Sequence, residues 1–264
     1  MKIRALTLNT FMSLLRNKLI ILFCAVFLGI VLLMMTPLMM TRSMAATPGQ
    51  ATTMVLGLVS AIMTMLTGFG SMLAAWSAAD AVAGEMKSGT ILAVMARPVR
   101  RWEFLLGKYL GVQLLMFVYV LAMLGMSYLL AWIGNERIHS TTWVLIVYPM
   151  VRYAIYSALA MLLVTMMHPV FAFAAVLIVS VLANMVTPTA RSTSFPEWLR
   201  QGLFVVLPSA DLLSESKFLT ITQASLKGMP WTDHLVALGY GLDYALVCFL
   251  LAVWSFRQRA LSRD

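Results

Sequence analysis

The sequence is poor in charge. Only 11% of its 264 residues are Asp, Glu, Lys or Arg, whereas a soluble globular domain carries about 25%. Hydrophobic residues make up 61% of the chain, and the mean hydropathy is +0.90. These values exclude an ordinary soluble domain and favour an integral membrane protein.

Cysteine and histidine are also scarce. The two cysteines, Cys24 and Cys248, fall inside long apolar runs, so buried thiols are expected rather than a disulfide framework. The three histidines lie in separate predicted loops and lack metal-ligand spacing, so no metal site is expected. Methionine is abundant, with 22 residues. Metal export is one interpretation of that number, but isolated methionines in apolar helices favour adaptable packing.

The chain lacks a recognisable catalytic or nucleotide-binding constellation. The interval from Gly84 to Gly89 has the glycine spacing of a phosphate-binding loop, but Thr90 stands where that loop requires lysine. No strand is predicted before it, and no paired acids at membrane depth indicate a lipid-modifying enzyme. We therefore predict that the chain is not an enzyme and binds no cofactor itself.

Long apolar runs dominate what is present. A membrane-spanning helix needs about 20 apolar residues, and the uncharged run 153–190 is too long for one span, so Pro169 is the natural place to divide it. The fold class predicted is all-α, with six transmembrane helices. The predicted spans are 19–40, 52–76, 109–133, 142–166, 170–187 and 234–256.

The basic residues orient these spans. The net charge of +9 would suggest nucleic acid in a soluble protein, but most of the positive residues flank apolar runs, so no nucleic-acid partner is expected. With both termini in the cytoplasm, the inner segments hold 12 of the 19 Lys and Arg residues and the outer segments hold six. Each short outer loop holds one, as the positive-inside rule requires.

Residues 1–18 are predicted to form an amphipathic helix at the inner membrane surface. Its apolar face carries Ile3, Leu6, Phe11, Leu14 and Leu15. Basic residues elsewhere on the helix would attract anionic headgroups. The alternative is a signal peptide cleaved near Ser43-Met44-Ala45, but the apolar run 19–40 is too long for one.

The polar segment 80–108 interrupts the apolar runs and carries five Lys or Arg residues and three acids. Charge is costly at the bilayer centre, so the segment is expected in water. Gly89 can end one helix, and Ser88 or Thr90 can cap a short apolar helix over 91–96 that Pro98 ends. Residues 102–108 then return to the membrane. The segment is either a plug for a groove on a cytosolic partner or an ordinary charged loop.

The same segment resembles type-2 ABC exporter permeases. The matching residues are Glu85-x-x-x-Gly89-Thr90, then Arg97-Pro98-Val99-x-Arg101, then Leu106-Gly107-Lys108-x-Leu110-Gly111. Arg100 departs from the family pattern, which often has serine there. In the family this element is a coupling helix that contacts the ATP-binding subunit.

The resemblance implies function and partners. It implies the membrane-spanning subunit of an exporter in the inner membrane of a prokaryote, with a second permease copy and an ATPase dimer that uses ATP and Mg. Docking would also involve the N-terminal helix, and short helices in the outer segment 188–232 would form a gate, although an interfacial hairpin is an equal alternative. The docking residues assigned are Glu85, Gly89, Thr90, Ile91, Leu92, Met95, Arg97, Pro98, Arg101 and Lys108.

Two charged residues, Arg152 and Asp243, fall deep inside spans. Each lies about ten residues, or ~15 Å, from the outer start of an inward-running helix, so they are candidates for a buried pair. The pair would be a packing latch or would line the substrate path; if the fourth span starts near Tyr148, Arg152 instead snorkels outward. An ion- or proton-coupled carrier using this pair, or a membrane enzyme, is the alternative function, but no convincing internal repeat supports a carrier.

Overall fold

The computed structural model describes residues 2–44, 48–88, 100–133, 142–185, 207–209, 213 and 231–258. Within these ranges all regular structure is helical, which confirms the all-α class for the described chain. The helices are α1 (Lys2–Leu15), α2 (Lys18–Met44), α3 (Pro48–Ser88), α4 (Arg101–Ile133), α5 (Thr142–Val164), α6 (Pro169–Met185) and α7 (Trp231–Gln258).

Several of these helices are suited to a membrane. By length and apolar composition, four described segments can span one: Ala61–Glu85, Arg101–Leu129, Val144–Val164 and Trp231–Gln258. The helices α1 and α2, bent by 61° at their junction, would add a fifth if they act as one broken span. The helix α6 is apolar but shorter. The described chain is therefore a multi-span bundle with four such segments, or five if the bent pair is one span.

Two helices are much longer than the spans expected from sequence. The helix α3 has 41 residues and α4 has 33. At 1.5 Å per residue they are ~60 Å and ~50 Å long, which exceeds the ~30 Å hydrocarbon core. Both therefore extend into the polar segment 80–108 from its two sides.

The helix α5 occupies the centre of the bundle, where it packs against α3, α4 and α7. Tyr153 of α5 is fully buried and meets Tyr119 of α4 edge to face, with ring centroids 6.0 Å apart. The Tyr119 hydroxyl donates a hydrogen bond of 2.8 Å to the Leu66 carbonyl of α3. Gly70 leaves the space that these two rings occupy. Aromatic packing against a glycine therefore joins three helices.

The helix α7 packs on α5 through one stripe of mostly small residues. The stripe is His234, Ala237, Gly241, Ala245, Cys248, Ala252 and Phe256. Small residues at helical spacing let two backbones approach closely. Tyr148 and His234 share a hydrogen bond of 2.8 Å near one end, and Thr165 donates to Ser255 at 3.0 Å near the other. The two helices therefore run in the same direction.

The helix α1 packs along α4. A Cβ added at Gly107 would lie 2.7 Å from Leu6 Cβ, and one added at Gly111 would lie 2.7 Å from Thr10 Cβ. Gly107 and Gly111, which are four residues apart on α4, thus contact Leu6 and Thr10, which are four residues apart on α1. The two helices run in the same direction where they cross.

Candidate functional site

The structure describes three of the ten residues assigned to docking: Glu85, Arg101 and Lys108. The other seven lie outside the described residues. They are Gly89, Thr90, Ile91, Leu92, Met95, Arg97 and Pro98. The structure therefore describes the end of α3 and the start of α4, which residues 89–99 connect.

Glu85 and Lys108 join these two helix ends. The Lys108 ammonium donates to Glu85 Oε1 in an ion pair, and the Lys108 side chain is only 5% exposed. The Lys108 ammonium also lies 5.7 Å from the centre of the Phe104 ring, which adds a cation–π contact. The sequence interpretation placed both charges in water, as a contact for another subunit. In the structure they instead lie against each other, because opposite charges on neighbouring helices can replace water for one another.

Arg101 joins the start of α4 to the end of α7. Its Nη1 donates to the Arg257 carbonyl at 2.9 Å and approaches the Phe256 carbonyl at 3.4 Å. The last carbonyls of a helix lack partners inside the helix and carry partial negative charge, so a guanidinium there is favourable. Arg101 is thus a positioning residue within the chain.

The junction of α1 and α2 is attached to the same end of the bundle. Asn17, which lies in the break between these helices, donates from Nδ2 to Asp80 Oδ2 of α3 at 2.6 Å. Sequence reasoning did not single out Asn17. The available signal was Asp80 itself, a carboxylate directly after an apolar run, which indicates that a donor must be nearby.

We call Asn17, Asp80, Glu85, Arg101 and Lys108 the polar cluster. Together they connect the α1–α2 junction, α3, α4 and the end of α7 at one end of the bundle. None of these contacts resembles a catalytic arrangement. The cluster can instead transmit a mechanical displacement, because a push on residues 89–99 reaches five attached helices, α1 to α4 and α7. Among the described residues, no group of three or more His, Cys, Asp or Glu side chains converges as a metal site would.

Arg152 and Asp243 do not form the pair proposed from their equal depth. Within the described ranges the only ion pair is that of Lys108 with Glu85. The side chain of Arg152 is half-buried, and its guanidinium carbon lies 6.0 Å from the centre of the Tyr156 ring on the same helix. Asp243 is exposed.

The reason is the face of α7 on which Asp243 lies. Gly241 packs directly on Val151, so the depth inferred from sequence is correct. However, at about 100° per residue Asp243 points ~200° away from Gly241. The carboxylate therefore faces away from α5, although it lies at the level of Arg152.

We predict that Arg152→Gln and Asp243→Asn have additive effects on stability. Side chains that share no contact couple by less than about 0.5 kcal/mol in a double-mutant cycle. The free energy of unfolding in detergent would be measured for wild type, both single variants and the double variant. A coupling energy above ~1 kcal/mol would show that the two charges do interact.

Before α7 begins, the outer segment 188–232 is described at residues 207–209 and 213, and these lie against α5, α6 and α7. The Tyr240 hydroxyl accepts a hydrogen bond from the Ser209 amide at 3.2 Å. Leu213 is buried beside Gly241 and Val151. Gly241 is ten residues from the start of α7, or ~15 Å along its axis. Part of the outer segment therefore packs along the two helices rather than above their ends. The short helices predicted in this segment fall outside the described residues.

A bundle of long apolar helices, with the polar cluster at one end, defines a multi-pass helical membrane protein. The chain matches the ABC-2 family transporter protein family over residues 5–261. Because this match covers nearly the whole sequence, the chain belongs to that family, which confirms the resemblance seen at residues 85–111. Membership implies a permease that works with an ATP-binding partner subunit. A comparison with curated proteins gives no match.

Proposed function

We propose that this protein is the permease subunit of an ATP-driven ABC exporter in the inner membrane of a prokaryote. Two copies form the translocation path, and both termini of each copy lie in the cytoplasm. An ATPase dimer docks on residues 80–108 and on α1 and binds the ATP and Mg. The permease itself has no ATPase site and carries no cofactor.

The observation that carries this proposal is the construction of the polar cluster around residues 89–99. Those residues connect two helices, each longer than a membrane span, whose ends are joined by the Glu85–Lys108 ion pair. Arg101 and Asn17 attach α7 and the α1–α2 junction to the same place. Because the helix ends on both sides of residues 89–99 are attached in this way, movement of those residues would be passed on to the bundle.

The cycle follows from this attachment. When ATP binding closes the ATPase dimer, residues 89–99 are pushed, and the polar cluster moves α2 and α3. The helix α6, which packs on α3, moves with them relative to the second permease copy. The path then opens to the outside and releases a hydrophobic or amphipathic substrate.

We predict that Leu92→Asp and Met95→Asp each prevent assembly with the ATPase and abolish ATP-dependent efflux. A carboxylate introduced into an apolar docking face loses its water without gaining a partner, which costs several kcal/mol. Co-purification with the ATPase and transport in reconstituted vesicles would be measured. Ala93→Asp is the matched control, because in the predicted helix Ala93 lies on the face opposite Leu92 and Met95.

Two results would contradict the proposal. If both aspartate variants assembled and transported normally, residues 89–99 would not be the docking element. If the purified permease transported substrate with an ion gradient and without ATP, the alternative of a secondary carrier would be correct. A screen of vesicles for efflux of lipids, drugs and peptides would then identify the substrate class.

A further inference from the structure

The helices α1, α4 and α5 line an open cavity of about 570 Å³. Its lining includes Arg4 and Leu8 of α1, Leu110, Leu114 and Phe117 of α4, and Met150 of α5. This volume lies within the range of ~300–1,000 Å³ typical of ligand sites. Nothing in the proposed transport cycle uses it.

The lining of the cavity is almost entirely apolar, and Arg4 is the ionisable residue among the described residues that line it. Because Leu6 lies against Gly107, Arg4 lies near the level of Lys108, where the polar cluster begins. Phe117 is ten residues beyond Gly107 on the same helix, or ~15 Å deeper along its axis. The cavity therefore runs from Arg4, near the polar end of the bundle, toward the middle of the spans.

The cavity is open to the surroundings of the bundle. Leu8, Leu110 and Phe117 are 56%, 40% and 41% exposed. Apolar side chains this accessible at membrane depth face lipid tails. The occupant therefore enters sideways from the bilayer, not from water.

We propose that this cavity binds an anionic phospholipid of the inner leaflet. One acyl chain lies along α4 from Leu110 to Phe117, and the phosphate lies against Arg4. A guanidinium matches a phosphate with two parallel hydrogen bonds, and no described residue forms an ion pair with Arg4. The inference goes beyond the proposed transport function and shares with it only the cytoplasmic position of the α1 end.

The bound lipid would hold α1 in place on α4. The helix α1 already packs closely on α4 at Gly107 and Gly111, and the lipid would add to these contacts. Because Gly107 adjoins Lys108 of the polar cluster, an occupied cavity would also stiffen the ends of the helices that carry residues 89–99. Lipid charge in the inner leaflet would in this way affect the docking element.

The test is lipid binding to the purified permease without its ATPase, measured by native mass spectrometry and by thermal stability in detergent. Phosphatidylglycerol and phosphatidylcholine are the two probes, and glycerol phosphate tests the headgroup alone. Arg4→Gln should weaken phosphatidylglycerol binding about fivefold, since one basic residue near an anionic surface contributes ~1 kcal/mol. Phosphatidylcholine binding should hardly change.

Substituting a larger side chain in the cavity tests whether the acyl chain of the lipid lies there. Leu114→Trp should reduce binding of both phospholipids, whereas Leu121→Trp, at an exposed position of α4 outside the cavity lining, should not. Arg16→Gln is the charge control, because Arg16 is exposed and lies just beyond the other end of α1.

Three outcomes would overturn the inference. Unchanged phosphatidylglycerol binding in Arg4→Gln would remove the headgroup site, and an equal loss in Arg16→Gln would show general surface attraction. If glycerol phosphate stabilised the permease as much as phosphatidylglycerol does, the site would bind an anion but not an acyl chain. Because these lipid-binding measurements use the permease without its ATPase, they do not depend on whether the proposed transport function is correct.

Discussion

Lys108→Met is expected to destabilise the permease by about 3 kcal/mol, because removing one partner of a buried ion pair leaves a charge without its counterion. Lys108 is almost fully buried, and its ammonium contacts Glu85 of α3 across 23 residues of sequence. The substitution would therefore separate the ends of α3 and α4. The free energy of unfolding in detergent and ATP-dependent efflux would be measured, and both should fall.

The double variant Glu85→Gln, Lys108→Met is the test of mechanism. Replacing both partners removes the uncompensated charge, so stability should return to within ~1 kcal/mol of wild type. Lys18→Met is the matched control, because Lys18 is exposed at the start of α2. If Lys108→Met were no more destabilising than Lys18→Met, the ion pair would not hold the helix ends.

Gly70→Ala is expected to destabilise the bundle by about 2 kcal/mol, the cost of overpacking a dense core. An added Cβ would lie 2.6 Å from Tyr119 Cε1 and would also meet the ring of Tyr153, which is fully buried. Neither ring can move without disturbing a neighbouring helix. Thermal stability in detergent would be measured for the purified protein.

Gly68→Ala is the matched control on the same helix. A Cβ at Gly68 meets nothing within 4 Å, and alanine favours a helix over glycine by up to ~1 kcal/mol. The two substitutions, identical in chemistry and two residues apart, should therefore have opposite signs. Equal stabilisation by both would mean that α3, α4 and α5 do not meet at Gly70.

The helical class and the family could be predicted from sequence because both depend on local patterns. Apolar runs of about 20 residues specify helices in a membrane whatever their neighbours are. The motif between Glu85 and Gly111 lies within 27 consecutive residues, so no tertiary knowledge was needed to recognise it. The same motif identified the segment between α3 and α4 as the candidate site.

Which face of each helix packs against its neighbours could not be predicted in the same way. Counting residues gave the correct depth of Asp243, because the rise of a helix is constant. Its direction depends on which stripe of α7 packs, and that is decided by the close approach of Gly241 to Val151. Likewise, the spacing of Gly107 and Gly111 can be read from the sequence, but only the packed structure identifies α1 as the helix that crosses there.

The amino-acid sequence by itself determined that this chain is a helical membrane protein with a conspicuous polar segment, since hydropathy and motif spacing are properties of consecutive residues. Only the tertiary structure decided that Lys108 leaves water for Glu85, that Arg101 and Asn17 attach two further elements there, and that Asp243 turns away from Arg152. The physical reason is that the free energy of a charge depends on the group beside it. In this protein those neighbours come from helices far apart in sequence.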